Sequence, residues 1–66
     1  MLLQKLNRAK EAVGYYRRAL AAKPEFPQAW LNLGHALMIL GKHEEARASW
    51  TAALRGNAEL AEQILV

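Results

Sequence analysis

Two imidazoles, His35 and His43, are the side chains of this sequence best suited to chemistry, since either could bind a metal or pass a proton. Both uses need company. A zinc site takes four ligands and a proton relay takes an oriented acid. The sequence has no Cys and sets no carboxylate at metal-ligand spacing from the two rings, which straddle Gly41. Ser49, the sole serine, falls inside a helical stretch with no histidine at a relay spacing, so it lacks an activating base. The run Tyr15-Tyr16-Arg17-Arg18 combines rings that could stack on bases with guanidinium groups that could hold phosphates. On a helix, though, Arg17 and Arg18 point away from Tyr16, and Tyr16 recurs as part of an apolar core pattern. The expectation is a chain with no catalytic, metal-binding or cofactor-binding residues, not an enzyme, and with no nucleic-acid partner.

The charge balance agrees. Nine basic against six acidic residues give a net charge of +3 over 66 residues, but the signs are interspersed, as in Lys42-His43-Glu44-Glu45-Ala46-Arg47. Mixed charge of this kind solvates a surface rather than gripping a polyanion. No stretch is long enough to span a membrane, and the start, Met1-Leu2-Leu3-Gln4-Lys5, lacks the basic-then-apolar order of a secretory signal. A cytoplasmic setting with no membrane partner is expected, and the absence of cysteine permits a reducing compartment.

The residues that organise the chain repeat with a spacing of 34: Leu3 pairs with Leu37, Leu6 with Leu40, Glu11 with Glu45, Ala12 with Ala46, Tyr16 with Trp50, Ala19 with Ala53 and Leu20 with Leu54. A period in this range means one supersecondary unit recurs and buries its apolar face on its neighbours. Ala12, Val13, Tyr16, Ala19 and Leu20 recur at three- and four-residue steps, which predicts a helix over 8–22, closed by Lys23-Pro24. A second helix starts at Pro27 and runs to residue 40, where Gly41 supplies the left-handed residue that ends it. A third spans 43–55, with Ala46, Trp50, Ala53 and Leu54 facing inward, and Gly56-Asn57 terminates it. Asn7 occupies the place of Gly41 in the preceding copy, so residues 1–6 read as the tail of a separate helix, and residues 58–66 as the opening turns of another.

The run Ala29-Trp30-Leu31-Asn32-Leu33-Gly34-His35-Ala36-Leu37, followed by Gly41, by Glu45-Ala46-Arg47-Ala48-Ser49-Trp50 and by Ala53-Leu54, resembles the tetratricopeptide repeat. Trp30, Leu33, Gly34 and Ala46 match the family pattern, Leu37 replaces its Tyr and Trp50 its Phe. Ala12, Tyr16, Ala19 and Pro24 carry the earlier half repeat. Ala58 stands where the closing Pro falls after the second copy, and Ile64 where a further Trp would. The resemblance implies an all-α fold of antiparallel helix-turn-helix repeats, a fragment of a right-handed superhelical solenoid. Its divisions, within one domain over 1–66, are 1–26, the C-terminal part of one repeat; 27–60, a complete repeat; and 61–66, the start of another or a capping stub. The residues make physical sense without the name: Gly34 and Ala46 are small where helices approach closely, and the aromatic residues fill the remaining space.

The family's concave surface, lined by the first helix of each pair, holds a peptide or helix from a partner protein. Here the resemblance places Gln28, Leu31, Asn32, His35, Met38 and Ile39 on that surface. Asn32 matches a position used by repeats that clamp a terminal carboxylate, but Leu31 and His35 stand where basic and amide residues are needed. The groove is expected to be apolar, for an amphipathic partner segment. The competing expectation is a structural self-assembly unit. Leu2, Leu3 and Leu6 at one end and Leu60, Ile64 and Leu65 at the other read as apolar edges for a homo-oligomer formed by repeat stacking or helix exchange. The mid-repeat start also fits a natural or engineered fragment of a longer array, including a targeting domain carried by an enzyme.

Overall fold

The computed structural model describes residues 2–65, with side chains over 4–64. Helix α1 covers Leu2–Ala22, α2 Pro27–Ile39 and α3 His43–Gly56; a 3-10 turn at Ala58–Leu60 leads into a short α4, Ala61–Leu65. No strand occurs among the described residues.

Each boundary has a local cause. The Lys23 amide still donates to the Ala19 carbonyl at 2.8 Å, and Pro24 stops the ladder there. Extended Phe26 precedes Pro27, and its carbonyl accepts from the amides of Ala29 and Trp30 at 3.0 and 3.2 Å, opening α2. At the other end Gly41 takes φ +79°, the Lys42 amide reaches the Leu37 carbonyl at 2.9 Å and the Gly41 amide reaches Met38 at 3.0 Å. That pair of bonds is a Schellman closure, which favours glycine because its left-handed residue carries no Cβ. Glu44 and Glu45 lie in the first turn of α3 and Arg55 in its last, both on the favourable side of the helix dipole. Asn57 leaves α3 in an extended conformation, and its Oδ1 accepts from the Glu59 amide at 3.1 Å, starting the 3-10 turn.

One expected boundary is absent. The 34-residue spacing predicts a left-handed turn at Asn7, but α1 runs unbroken through it, and no described non-glycine residue has positive φ. Asparagine costs only a few tenths of a kcal/mol inside a helix. Residues 2–6 alone would make fewer than two helical turns with few internal bonds, so continuing the existing ladder is the cheaper course.

Helices α2 and α3 run antiparallel: Pro27 lies beside Gly56, Gly34 beside Trp50 and Met38 beside His43. The seam is close because Ala46 and Ala53 are fully sealed and Gly34 carries no side chain. Helices α1 and α3 both lie on α2 rather than on each other. One core cluster, with Ala9, Val13, Leu20, Leu33, Leu37 and Ala46, joins α1, α2 and the start of α3. A second, around Leu31, Ala53 and Leu60, joins α2 to α3 and to the 3-10 turn. Trp30 fastens the α1–α2 turn by donating from Nε1 to the Pro24 carbonyl at 2.9 Å.

Candidate partner-binding groove

Helix α2 is covered along most of its circumference, by α1 on one flank and by α3 with the 3-10 turn on the other. What remains free is a stripe at a helical repeat of three and four: Gln28, Asn32, His35 and Ile39. Gln28 and His35 are exposed, Asn32 is half-buried, and Ile39 is 43% exposed, an apolar side chain left in solvent. Gln28 Nε2 donates to Asn32 Oδ1 at 3.1 Å, so the two amides form one polar unit at the N-terminal end of the stripe. Met38 borders the other end, half-buried against the first core cluster, with its sulfur 2.8 Å from His43 Nδ1.

Leu31 does not belong to this surface. It is 1% exposed, enclosed with Ala53 and Leu60 in the second core cluster. Leu31 and Met38 are seven residues, or two turns, apart and share one line along α2. The 3-10 turn lies over the first half of that line only, so it seals Leu31 and leaves Met38 half open. Leu60, expected as an apolar edge, is for the same reason a core residue, 6% exposed. Ile64 packs partly against that cluster, and Leu6 is half-buried. Leu2, Leu3 and Leu65 lie outside the residues whose side chains are described.

Beside the stripe stands an aromatic pair that sequence spacing did not reveal. The His35 ring meets Trp50 edge to face, centroids 5.6 Å apart at 64°. The signal lay in Gly34: a glycine that lets the indole of α3 approach α2 brings the next residue against the same ring. Trp50 Nε1 is buried there with no hydrogen-bond partner.

The opposite side of the layer carries an apolar cleft of about 400 Å³ between α1 and α3, floored by Trp30, Leu33 and Leu37. Arg17 Nη2 reaches Glu45 Oε2 across it at 3.5 Å. Tyr16 is half-buried while Tyr15 is 68% exposed, so the four-residue Tyr-Arg run is divided among a core contact, an ion pair and solvent. Among the described residues no group of three or more His, Cys, Asp or Glu is placed to hold a metal, and no helix is long and apolar enough to cross a membrane.

The family model for the tetratricopeptide repeat matches residues 1–62. A peroxisomal targeting signal receptor of Kluyveromyces lactis is 44% identical over 48 residues, 73% of this chain and 8% of its own length. The anaphase-promoting complex subunit cut9 of Schizosaccharomyces pombe is 32% identical over 50 residues, 76% of this chain and 8% of its own. The human protein O-mannosyl-transferase TMTC3 is 35% identical over 57 residues, 82% of this chain and 6% of its own. The chain thus spans less than a tenth of these relatives. No solved structure gives a significant match. With the glycine-and-alanine seam, the aromatic knobs and a family match over nearly every residue, the chain belongs to the tetratricopeptide repeat family, whose members are generally protein-interaction modules.

Proposed function

We propose that this chain is a non-catalytic binding module that receives a peptide or helix of a partner protein along the free stripe of α2. The observation that carries the reading is Ile39, 43% exposed beside half-buried Met38, at one end of a stripe whose other end is the Gln28–Asn32 amide pair. That layout suits a segment with an apolar side chain to set on Ile39 and backbone amides to meet Gln28 and Asn32. No side chain in the stripe carries a fixed charge, which disfavours a terminal-carboxylate clamp. Two relatives are, by name, a targeting-signal receptor and a subunit of a complex, which supports a protein as the partner class. The engagement of Arg17 by Glu45 and of Tyr16 by the core supports that class over nucleic acid. A cytoplasmic setting, which the cysteine-free sequence permits, is part of the same proposal.

The test is selection of binders from a displayed random-peptide library, followed by fluorescence titration of a selected peptide. Ile39→Glu puts a charge where the apolar anchor sits and should weaken binding at least tenfold, ~1.4 kcal/mol, with helicity unchanged. Undiminished binding to that variant would place the contact elsewhere and sink the proposal. Self-association is a second reading, favoured by a different observation: the partial exposure of Ala12 and Ala19, whose equivalents Ala46 and Ala53 are fully sealed.

A further inference from the structure

We infer that the open flank of α1 around Tyr16 and Ala19 is a docking surface for the Ala58–Leu65 segment of a second copy of this chain. The spacing of 34 that relates α1 to α3 makes the two flanks directly comparable. On α3, Ala53 is fully sealed by the helices around it. On α1, the equivalent Ala19 is partly exposed, because among the described residues no helix stands toward α1 as α2 stands toward α3.

The chain also carries the complementary half. Ala61 and Ile64 correspond to Pro27 and Trp30, which line a crevice with Ala52, Arg55 and Gly56 of α3. Ala58–Leu65 uses one side, through Leu60 and Ile64, on the Leu31–Ala53 cluster. Among the described residues no α3-like helix lies against its other side: Ala61 is partly exposed and Glu62 and Gln63 are exposed. What α1 lacks is a helix of the α2 kind, and what this segment lacks is a helix of the α3 kind. A second copy supplies both, and the contact continues the α2–α3 interface by one repeat.

Charge favours the same pairing. Helix α1 bears Lys5, Arg8, Lys10, Arg17 and Arg18 against a single Glu11, while residues 57–65 bear Glu59 and Glu62 and no cation. Arg18 is the equivalent of Ala52, which lines one crevice with Glu25, Pro27 and Trp30, so the repeat relation sets Arg18 of one copy near Glu59, Ala61 and Ile64 of the other. The two patches differ, so the contact is head-to-tail and does not close; it leads to growth by successive addition rather than to a symmetric dimer. A segment of eight residues buries far less than the ~1,200 Å² of a stable interface, so the association is weak and exchanges quickly.

Sedimentation equilibrium of the 66-residue chain at low salt, from about 10 μM to about 1 mM, tests this. The weight-average mass should climb with concentration and fall back as salt screens the α1 charges. Ala19→Arg blocks one patch and Ala61→Arg the other; both sites are partly exposed, and circular dichroism checks that each variant keeps its helices. Each alone should stay monomeric, and mixed they should form a one-to-one heterodimer that grows no further, since each retains the patch the other has lost. Ile39→Glu, on the groove, should leave the mass curve unchanged. A wild-type chain that stays monomeric throughout would overturn the inference and leave the α1 flank to a foreign helix. So would an oligomer that survives Ala19→Arg, or one that Ile39→Glu dissolves.

Discussion

The same chemical change, glycine to alanine, should have opposite signs at two places in this chain. Gly14 sits mid-helix in α1 with nothing within 4 Å of the position a Cβ would take. Alanine there gains about 0.5–1 kcal/mol from helix propensity and from the smaller entropy of its unfolded state. At Gly34 the propensity gain is the same, but the added Cβ would run into the Trp50 indole at Nε1 and Cδ1, with Cε2 at 3.0 Å. Either α2 and α3 move apart along a seam whose alanines are fully sealed, or Trp50 swings into solvent. Overpacking of this kind costs ~1–3 kcal/mol. Turning the half-buried indole out uncovers roughly 100 Å² of apolar surface, ~2.5 kcal/mol at 25 cal/mol per Å². The two routes agree on about 2–2.5 kcal/mol, so Gly34→Ala should be destabilised by about 1–2 kcal/mol net of propensity. The variants should then melt about 10–20 °C apart for a domain of this size. Thermal melts by far-ultraviolet circular dichroism measure the difference, and tryptophan emission of Gly34→Ala in a Trp30→Phe background reports whether the indole has become wet. If Gly34→Ala stabilises the chain as Gly14→Ala does, the helices do not meet at this point and the account of the seam is refuted.

Leu31→Ala, at a site 1% exposed, should cost ~2–5 kcal/mol in urea titration; a loss under 1 kcal/mol would return Leu31 to the groove. Trp30→Phe should cost ~1 kcal/mol more than Trp50→Phe, because it breaks the 2.9 Å bond to Pro24 while Trp50→Phe removes a buried N–H that has no partner. Equal losses in a melt comparison would count against that assignment. Gly41→Ala should destabilise by about 1 kcal/mol although no atom obstructs it, since φ of +79° strains any residue with a Cβ; an unchanged midpoint would contradict the Schellman closure.

Much of the fold was legible because the determinants are local. Pro24, Pro27, Gly41 and Asn57 act through their own backbone angles or a bond two residues away, and each ends or begins a helix as expected. Asn7 shows the limit of reading by analogy. Its partner Gly41 turns the chain because two full helices repay the turn by packing on each other, whereas a turn at Asn7 would cut residues 2–6 off as fewer than two helical turns. An asparagine tolerates the left-handed region, but tolerance does not drive a turn when helix continuation costs almost nothing.

The groove was legible in angle and not in depth. Spacing along α2 puts Leu31 and Met38 on one line, and periodicity by itself assigns them one environment. The difference between a sealed Leu31 and a half-open Met38 comes from Leu60, which belongs to a segment whose helical character begins only at Asn57 and whose position depends on the packing of Ile64 and Ala53. The Ala58–Leu65 segment therefore bounds the free stripe as much as α2 itself does. Removing the cover at Leu60 would extend the apolar surface from Ile39 back through Met38 to Leu31. The 3-10 turn thus shortens the apolar part of the groove to its C-terminal half and leaves the Gln28–Asn32 amides to govern the other. On the proposed reading of this surface, a partner segment would carry one apolar anchor and one polar end, in an order fixed by the direction of α2.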